Sequence, residues 1–171
     1  MKKGIDRMAS RAYINVKAGE TVHLRSSATT QASNVMTELP RGYLVDVVSS
    51  LDPFKKVEVW DCIDTISGYV HRDYLSGTAI SCSDDDLWVP RYSTSSWKRS
   101  SHSGKYYLPV EKIQRDLISL GYTQIGTADG YYGTNTENAV KAFQNANGLT
   151  ADGVFGKNSK KKLWSLVERR G

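Results

Sequence analysis

Three histidines and two cysteines are the residues of this chain best suited to nucleophilic or metal chemistry: His23, His71 and His102, with Cys62 and Cys82. A thiolate beside an imidazole makes a nucleophile with its base, and Cys62 with His71 offers that combination. Both fall in one short strand-like stretch, too small to hold a Cys–His catalytic site as well as its own core, so ordinary strand positions are the better reading. A metal site needs ligands at close spacing. The histidines are scattered and no Cys-x-x-Cys occurs, so neither a metal nor another cofactor is expected. No glycine-rich phosphate loop ends in Gly-Lys-Ser/Thr. Glycoside cleavage would use two facing carboxylates; no pair is singled out, and Asp129 and Asp152 are accounted for by the loops they sit in. A Cys62–Cys82 disulfide, worth ~3 kcal/mol by loop entropy, stands beside the preferred state of two free thiols.

Binding chemistry is better supplied. The net charge is +5 and the pI about 9.1. Residues 110–171 hold much of the excess, with Lys157, Lys160, Lys161, Lys162, Arg169 and Arg170 forming a cluster. A mild basic excess suits anionic polymers or carboxylates, although a merely solvated face is the plainer alternative. Lys157, Asn158 and Ser159 open a predicted helix. Free N–H groups at a helix start, with a lysine adjacent, can hold a carboxylate or phosphate. In the first half, Trp60, Tyr69 and Tyr74 could pack on a peptide, or could equally belong to a core.

These residues need elements to position them. Residues 12–76 carry short runs typical of strands, such as Leu44-Val45-Asp46-Val47-Val48 and Val57, Val59 and Ile63. Turn signals stand at Pro40-Arg41-Gly42, Asp52-Pro53 and Ser67-Gly68. Residues 77–107 are rich in serine and read as a linker; within it, Trp88 and Trp97 are expected to dock onto a neighbouring domain. From Val110 the period becomes helical: Val110, Ile113, Leu117 and Leu120, then Gly121 as a C-cap. A second stripe is Ala139, Val140, Phe143 and Ala146, and a third Leu163, Trp164, Leu166 and Val167. Two loops repeat: Asp129-Gly130-Tyr131-Tyr132-Gly133 and Asp152-Gly153-Val154-Phe155-Gly156, each feeding a helix. Their aromatics, Tyr132 and Phe155, can plug a thin core, and the hydroxyls and amides that follow can cap the helices. Residues 1–11 read as a polar tail. Asp6 and Arg7 interrupt any apolar stretch, so no classical signal peptide is expected, and no run is long and apolar enough to span a membrane.

Residues 110–166 resemble the three-helix peptidoglycan-binding domain attached to bacterial and phage cell-wall hydrolases. The resemblance rests on Val110-x-x-Ile113-Gln114-x-x-Leu117, on Asp129-Gly130-x-Tyr132-Gly133-x-x-Thr136 running to Phe143-Gln144, and on Gly148-Leu149-x-x-Asp152-Gly153-x-Phe155-Gly156 with Leu163. Ser159 stands where that family usually has threonine. Residues 12–75 resemble the bacterial SH3-like domain through Val22-His23-Leu24-Arg25-Ser26-Ser27, Leu39-Pro40-Arg41-Gly42 and Gly68-Tyr69-Val70-His71-Arg72-Asp73-Tyr74-Leu75; asparagine is usual where His23 stands. Together the resemblances imply two small domains, an all-β SH3-like barrel (12–76) and an all-α three-helix bundle (108–171). They imply a non-catalytic targeting module that binds peptidoglycan, with a hydrolase domain or subunit as its partner and no specific nucleic acid or membrane partner. It would act at the cell wall, by phage-type release or as a fragment of a larger secreted protein. Two alternatives stay open: a wall hydrolase with an unrecognised catalytic site, and an intracellular SH3-like adaptor for peptides or nucleic acid.

Overall fold

A computed structural model describes residues 10–61 and 63–167. The chain divides into two compact units, Met1–Leu87 and Trp88–Gly171.

The first unit is one seven-stranded antiparallel sheet. Its strands are β1 (Ser10–Ile14), β2 (Thr21–Arg25), β3 (Val35–Pro40), β4 (Leu44–Leu51), β5 (Phe54–Trp60), β6 (Thr65–His71) and β7 (Leu75–Ser76), in the order β3-β2-β6-β5-β4-β1-β7. Alternation explains the pairing. Val57 and Val59 on β5, Ile66 and Val70 on β6, and Val22 and Leu24 on β2 all point inward and are buried, each side chain contributing ~1.5–3 kcal/mol. Of the expected tail, Ser10 and Arg11 belong to β1, opposite Val47 and Asp46; residues 1–9 lie outside the described residues.

The turns at Pro40-Arg41-Gly42 and Asp52-Pro53 separate strands as expected. Ser67-Gly68 does not form a turn; it lies inside β6, with Gly68 opposite Val57. A β-carbon on Gly68 would sit 2.7 Å from Leu24 Cδ1, so this glycine marks a close approach of strands rather than a bend. The β5–β6 turn comes earlier, where the buried Asp61 accepts hydrogen bonds from the N–H groups of Ile63 and Asp64 (3.1 and 2.7 Å). Ile63, expected to continue the strand, therefore sits in the turn and is exposed. Cys82 carries a free thiol, pushed up to about 11 by burial and by Asp86 and Asp84 nearby, which leaves it a poor nucleophile. Its proposed disulfide partner, Cys62, lies outside the described residues.

The second unit contains α1 (Val89–Tyr92), α2 (Arg99–His102), α3 (Leu108–Ser119), α4 (Thr134–Ala146) and α5 (Lys157–Val167). The three predicted stripes meet in its core: Val110, Ile113 and Leu117 from α3, Ala139, Val140 and Phe143 from α4, and Leu163 and Trp164 from α5 are all buried. Gly121 ends α3 as expected; its N–H donates to Ile118 O (2.9 Å), and that of Tyr122 to Leu117 O (3.0 Å).

The linker expected over residues 77–107 is corrected by this unit, which begins at Trp88. Residues 88–107 are folded against the three long helices. Trp88, Val89, Tyr92 and Trp97 are buried, which is where the two tryptophans dock. The Trp97 backbone pairs with Phe155 (Phe155 N–H to Trp97 O 2.8 Å), and its indole N–H donates to Tyr92 O (2.8 Å). The ring of Tyr92 meets Phe155 and Trp164 edge-on. Beneath it, the buried Arg91 donates from Nε and Nη2 to both oxygens of the buried Asp116, each at 2.7 Å, and Tyr92 donates to the same carboxylate at 2.6 Å. Serine density hid this layer, because four buried apolar residues and one buried ion pair suffice to fold a polar-looking segment. No helix among the described residues is long and apolar enough to cross a membrane.

Candidate functional site

The repeated Asp-Gly-x-aromatic-Gly loops are held by one device used twice. On α3, the Gln114 amide nitrogen lies within hydrogen-bonding distance of Asp129 Oδ1 (2.9 Å), Tyr131 O (3.0 Å) and Thr136 Oγ1 (2.9 Å), while its oxygen accepts from Gly130 N–H (2.8 Å). On α4, Gln144 addresses Asp152 Oδ1 (3.0 Å), Val154 O (3.0 Å) and Ser159 Oγ (3.2 Å), and accepts from Gly153 N–H (2.9 Å). In each copy the aspartate also accepts the N–H two residues on. Both glycines have left-handed backbones, φ +76° at Gly130 and +74° at Gly153, and a β-carbon would collide with the Tyr106 ring at Gly130 or meet Lys141 at 2.8 Å at Gly153. Tyr132 and Phe155 are thereby driven into the core. The Tyr132 hydroxyl donates to Gly153 O (2.9 Å), joining one copy to the other, and burial raises its pKa.

The hydroxyls of Thr136 and Ser159 were expected to cap helices. They serve the glutamines instead, and α4, which begins at Thr134 behind the N-cap residue Gly133, has no side-chain cap. Gln114 and Gln144 stand in the motifs read from sequence, but a buried glutamine that ties a distant loop leaves no periodic signal. Gln144→Ala is expected to destabilise the helical unit by about 2–4 kcal/mol, from one or two buried groups left unmet at ~1–3 kcal/mol each. Urea denaturation would check this, and a loss below about 1 kcal/mol would mean that water replaces the amide.

Two hollows flank the second loop. One, about 280 Å³, is bordered by Asp152, Val154, Lys157, Asn158 and Ser159. The other, about 430 Å³, is bordered by Lys98, Arg99, Ser103, Glu137 and Asp152. Lys157 and Asn158 are exposed at the start of α5; Ser159 is buried behind them. Lys160, counted with the basic cluster, is corrected: it is fully buried, its ammonium donating to Ser93 O (2.6 Å) and to Ser95 O and lying over the Trp88 ring. It ties residues 88–107 to α5 and is not presented to a ligand. Arg169 and Arg170 lie outside the described residues. Glu137 is held below the ordinary carboxylate range by hydrogen bonds from Lys141 and Arg99, so both signs of charge line the second hollow.

In the sheet unit, Trp60, Tyr69 and Tyr74 do not converge. Trp60 pairs with Thr65 at the turn end of the β5–β6 hairpin, whereas Tyr74 contacts His71, which pairs with Phe54 at the other end. At ~3.4 Å per residue the two ends are roughly 20 Å apart. Tyr69, half-buried, faces Lys56 between them. Trp60 is exposed, and Tyr74 borders a hollow of about 480 Å³. Among the described residues no group of histidine, cysteine and carboxylate side chains could hold a metal.

The N-acetylmuramoyl-L-alanine amidase CwlL of Bacillus licheniformis is 55% identical over 64 residues, covering 34% of this chain and 18% of that protein. The N-acetylmuramoyl-L-alanine amidase CwlM of Mycobacterium tuberculosis is 37% identical over 60 residues, covering 35% of this chain and 14% of that protein. The chain therefore spans less than a fifth of these curated relatives. Among solved structures, a peptidoglycan-binding protein from Clostridioides difficile in complex with glutamine hydroxamate is similar at 24% identity and a TM-score of 0.40, over 82% of this chain and 71% of that one. Residues 108–163, which hold both glutamine-clamped loops, match the family model described as "Putative peptidoglycan binding domain".

Proposed function

We propose that this chain is a non-catalytic targeting module that carries a cell-wall hydrolase to peptidoglycan. The observation that carries the reading is the family match over residues 108–163, in a unit whose two loops are completely clamped. The similarity to amidases over only a small part of their length fits a binding role beside a separate catalytic domain. The sheet unit, residues 12–76, is read as an SH3-like barrel that adds a second, weaker contact. Two linked weak binders gain apparent affinity through effective concentration.

Within the helical unit we take the hollow bordered by Lys157, Asn158 and Ser159 as the ligand site. Lys157 and the free N–H groups of α5 favour an anion, with Asn158 as an amide partner and Ser159 fixed behind them by Gln144. Asp152 on the rim disfavours a dense polyanion, so a peptide bearing both a carboxylate and amide or ammonium groups fits better than a phosphate polymer. In the sheet unit, Trp60, Tyr69 and Tyr74 remain as separate points of contact rather than one groove.

The test is a pull-down of the pure chain with purified peptidoglycan sacculi, with turbidity followed in the same tubes. Binding without clearing is expected. Clearing would make the chain a hydrolase. Binding to DNA that falls steeply with salt, without wall binding, would make it a nucleic-acid adaptor. Lys157→Glu is expected to weaken sacculus binding about tenfold, as a charge reversal in a small anion site worth ~1.4 kcal/mol would; unchanged affinity would remove the site.

A further inference from the structure

We propose that the hollow beside β2 in the sheet unit is a carboxylate-binding site built around Arg25, and that it takes the free C-terminal end of a peptide. Its basis is the way Arg25 is held. Nη1 donates to Gln31 O and Asn34 Oδ1, both at 2.8 Å, and Nη2 donates to His23 Nδ1 at 3.0 Å. All three acceptors are neutral. A guanidinium is always charged and only donates, so His23 must offer a bare Nδ1 there, which places its own proton on Nε2. Asn34 is itself fixed, its amide nitrogen reaching Ser27 and Thr29.

A cation oriented this firmly usually meets a carboxylate, as Arg91 meets Asp116. No carboxylate forms an ion pair with Arg25 among the described residues. Three of its five N–H groups are used; Nε–H and one Nη2–H are left. The side chain borders the hollow of about 480 Å³, within the range of small-molecule sites. Such an Arg is pre-organised for a planar anion, because the cost of ordering it is already met by the fold.

The other borders narrow the ligand. His71 lies edge-on between Phe54 and Tyr74, with centroids at 5.3 and 6.1 Å. Tyr74 is 43% exposed, which gives an aromatic wall for a small apolar side chain. Glu20 and Asp73 also border the hollow. They disfavour a second negative charge, and with it phosphate. One carboxylate on an otherwise neutral or amine-bearing backbone satisfies all of these groups.

The site stands independently of wall binding by the helical unit, so its failure and that of the targeting role are separable. The experiment is a heteronuclear NMR titration of the full chain with N-acetyl-dialanine, with its C-terminal carboxamide, and with inorganic phosphate. The free acid is expected to give saturable shifts at Thr21, His23, Arg25 and Asp73, and to bind at least tenfold tighter than the carboxamide or phosphate. Arg25→Gln is expected to abolish the shifts while the remaining spectrum stays that of the folded chain. Should Arg25→Gln unfold the sheet, Tyr74→Ala, at an exposed position, is expected to weaken binding at least threefold with the fold intact. Equal titration by acid and carboxamide, phosphate binding as tightly as the acid, or no saturable shift would each overturn the proposal.

Discussion

A fragment that begins at Leu108, the start of the family match, will not fold stably, whereas one that begins at Trp88 will. The matched region runs over residues 108–163, yet the folded unit starts twenty residues earlier, at Trp88. Cutting at Leu108 strips Trp88, Val89, Tyr92 and Trp97 from the core. At ~1.5–3 kcal/mol per large apolar side chain, the loss is about 6–12 kcal/mol as an upper bound. A domain of this size is stable by only ~5–15 kcal/mol. The cut also leaves Asp116 without Arg91 and Tyr92, and takes the Ser93 and Ser95 carbonyls from Lys160. Two ionic groups placed for burial would then have to be hydrated or shift in pKa. Circular dichroism with urea titration on fragments 88–171 and 108–171 decides it. A cooperative transition in the shorter fragment, at a midpoint close to that of the longer one, would show that residues 88–107 are dispensable.

That contrast also shows what could be read from the sequence and what could not. The three helical stripes, the Gly121 cap and the plugging roles of Tyr132 and Phe155 were legible because local periodicity and turn chemistry fix them. The strand-rich first half was legible for the same reason, except where a glycine served packing: Gly68 reads as a turn signal but permits Leu24 to approach β6. The layer of residues 88–107 was not legible. Its fold depends on partners far along the chain: Arg91 reaches Asp116, Trp97 pairs with Phe155, and Lys160 returns to Ser93. Lys160, in a basic run, reads as a solvated charge, and only the tertiary structure shows it and Arg91 buried. The candidate site was partly legible. Lys157 and Asn158 lie on an open surface, while Ser159 proved to be the support behind them. The sheet aromatics do not come together, since strand register sets Trp60 and Tyr74 at opposite ends of a hairpin.

Arg91→Met or Asp116→Leu alone is expected to destabilise the helical unit by about 3–5 kcal/mol, because each takes away a partner that holds a buried ionic group. The exposures of the two side chains are 2% and 6%, so water cannot repair the loss. Replacing the set together, Arg91→Met with Asp116→Leu and Tyr92→Phe, should recover most of the stability, since apolar groups of similar volume carry no desolvation cost. The phenol needs the third change, because without Asp116 its hydroxyl would be buried with no acceptor in place of the 2.6 Å contact. Salt separates this pair from those at the surface. The exposed Arg72–Asp52 bridge should weaken in 1 M NaCl, where screening acts within roughly 3 Å, while the penalty of breaking Arg91–Asp116 should stay nearly the same. Urea unfolding of the wild type, the three single variants (Tyr92→Phe included) and the triple variant, at low and high salt, gives the coupling energy of the set. Additive losses with no recovery in the triple variant would mean that the three residues act separately. The buried pair would then be an incidental feature of the added layer and not the tie that binds it to α3.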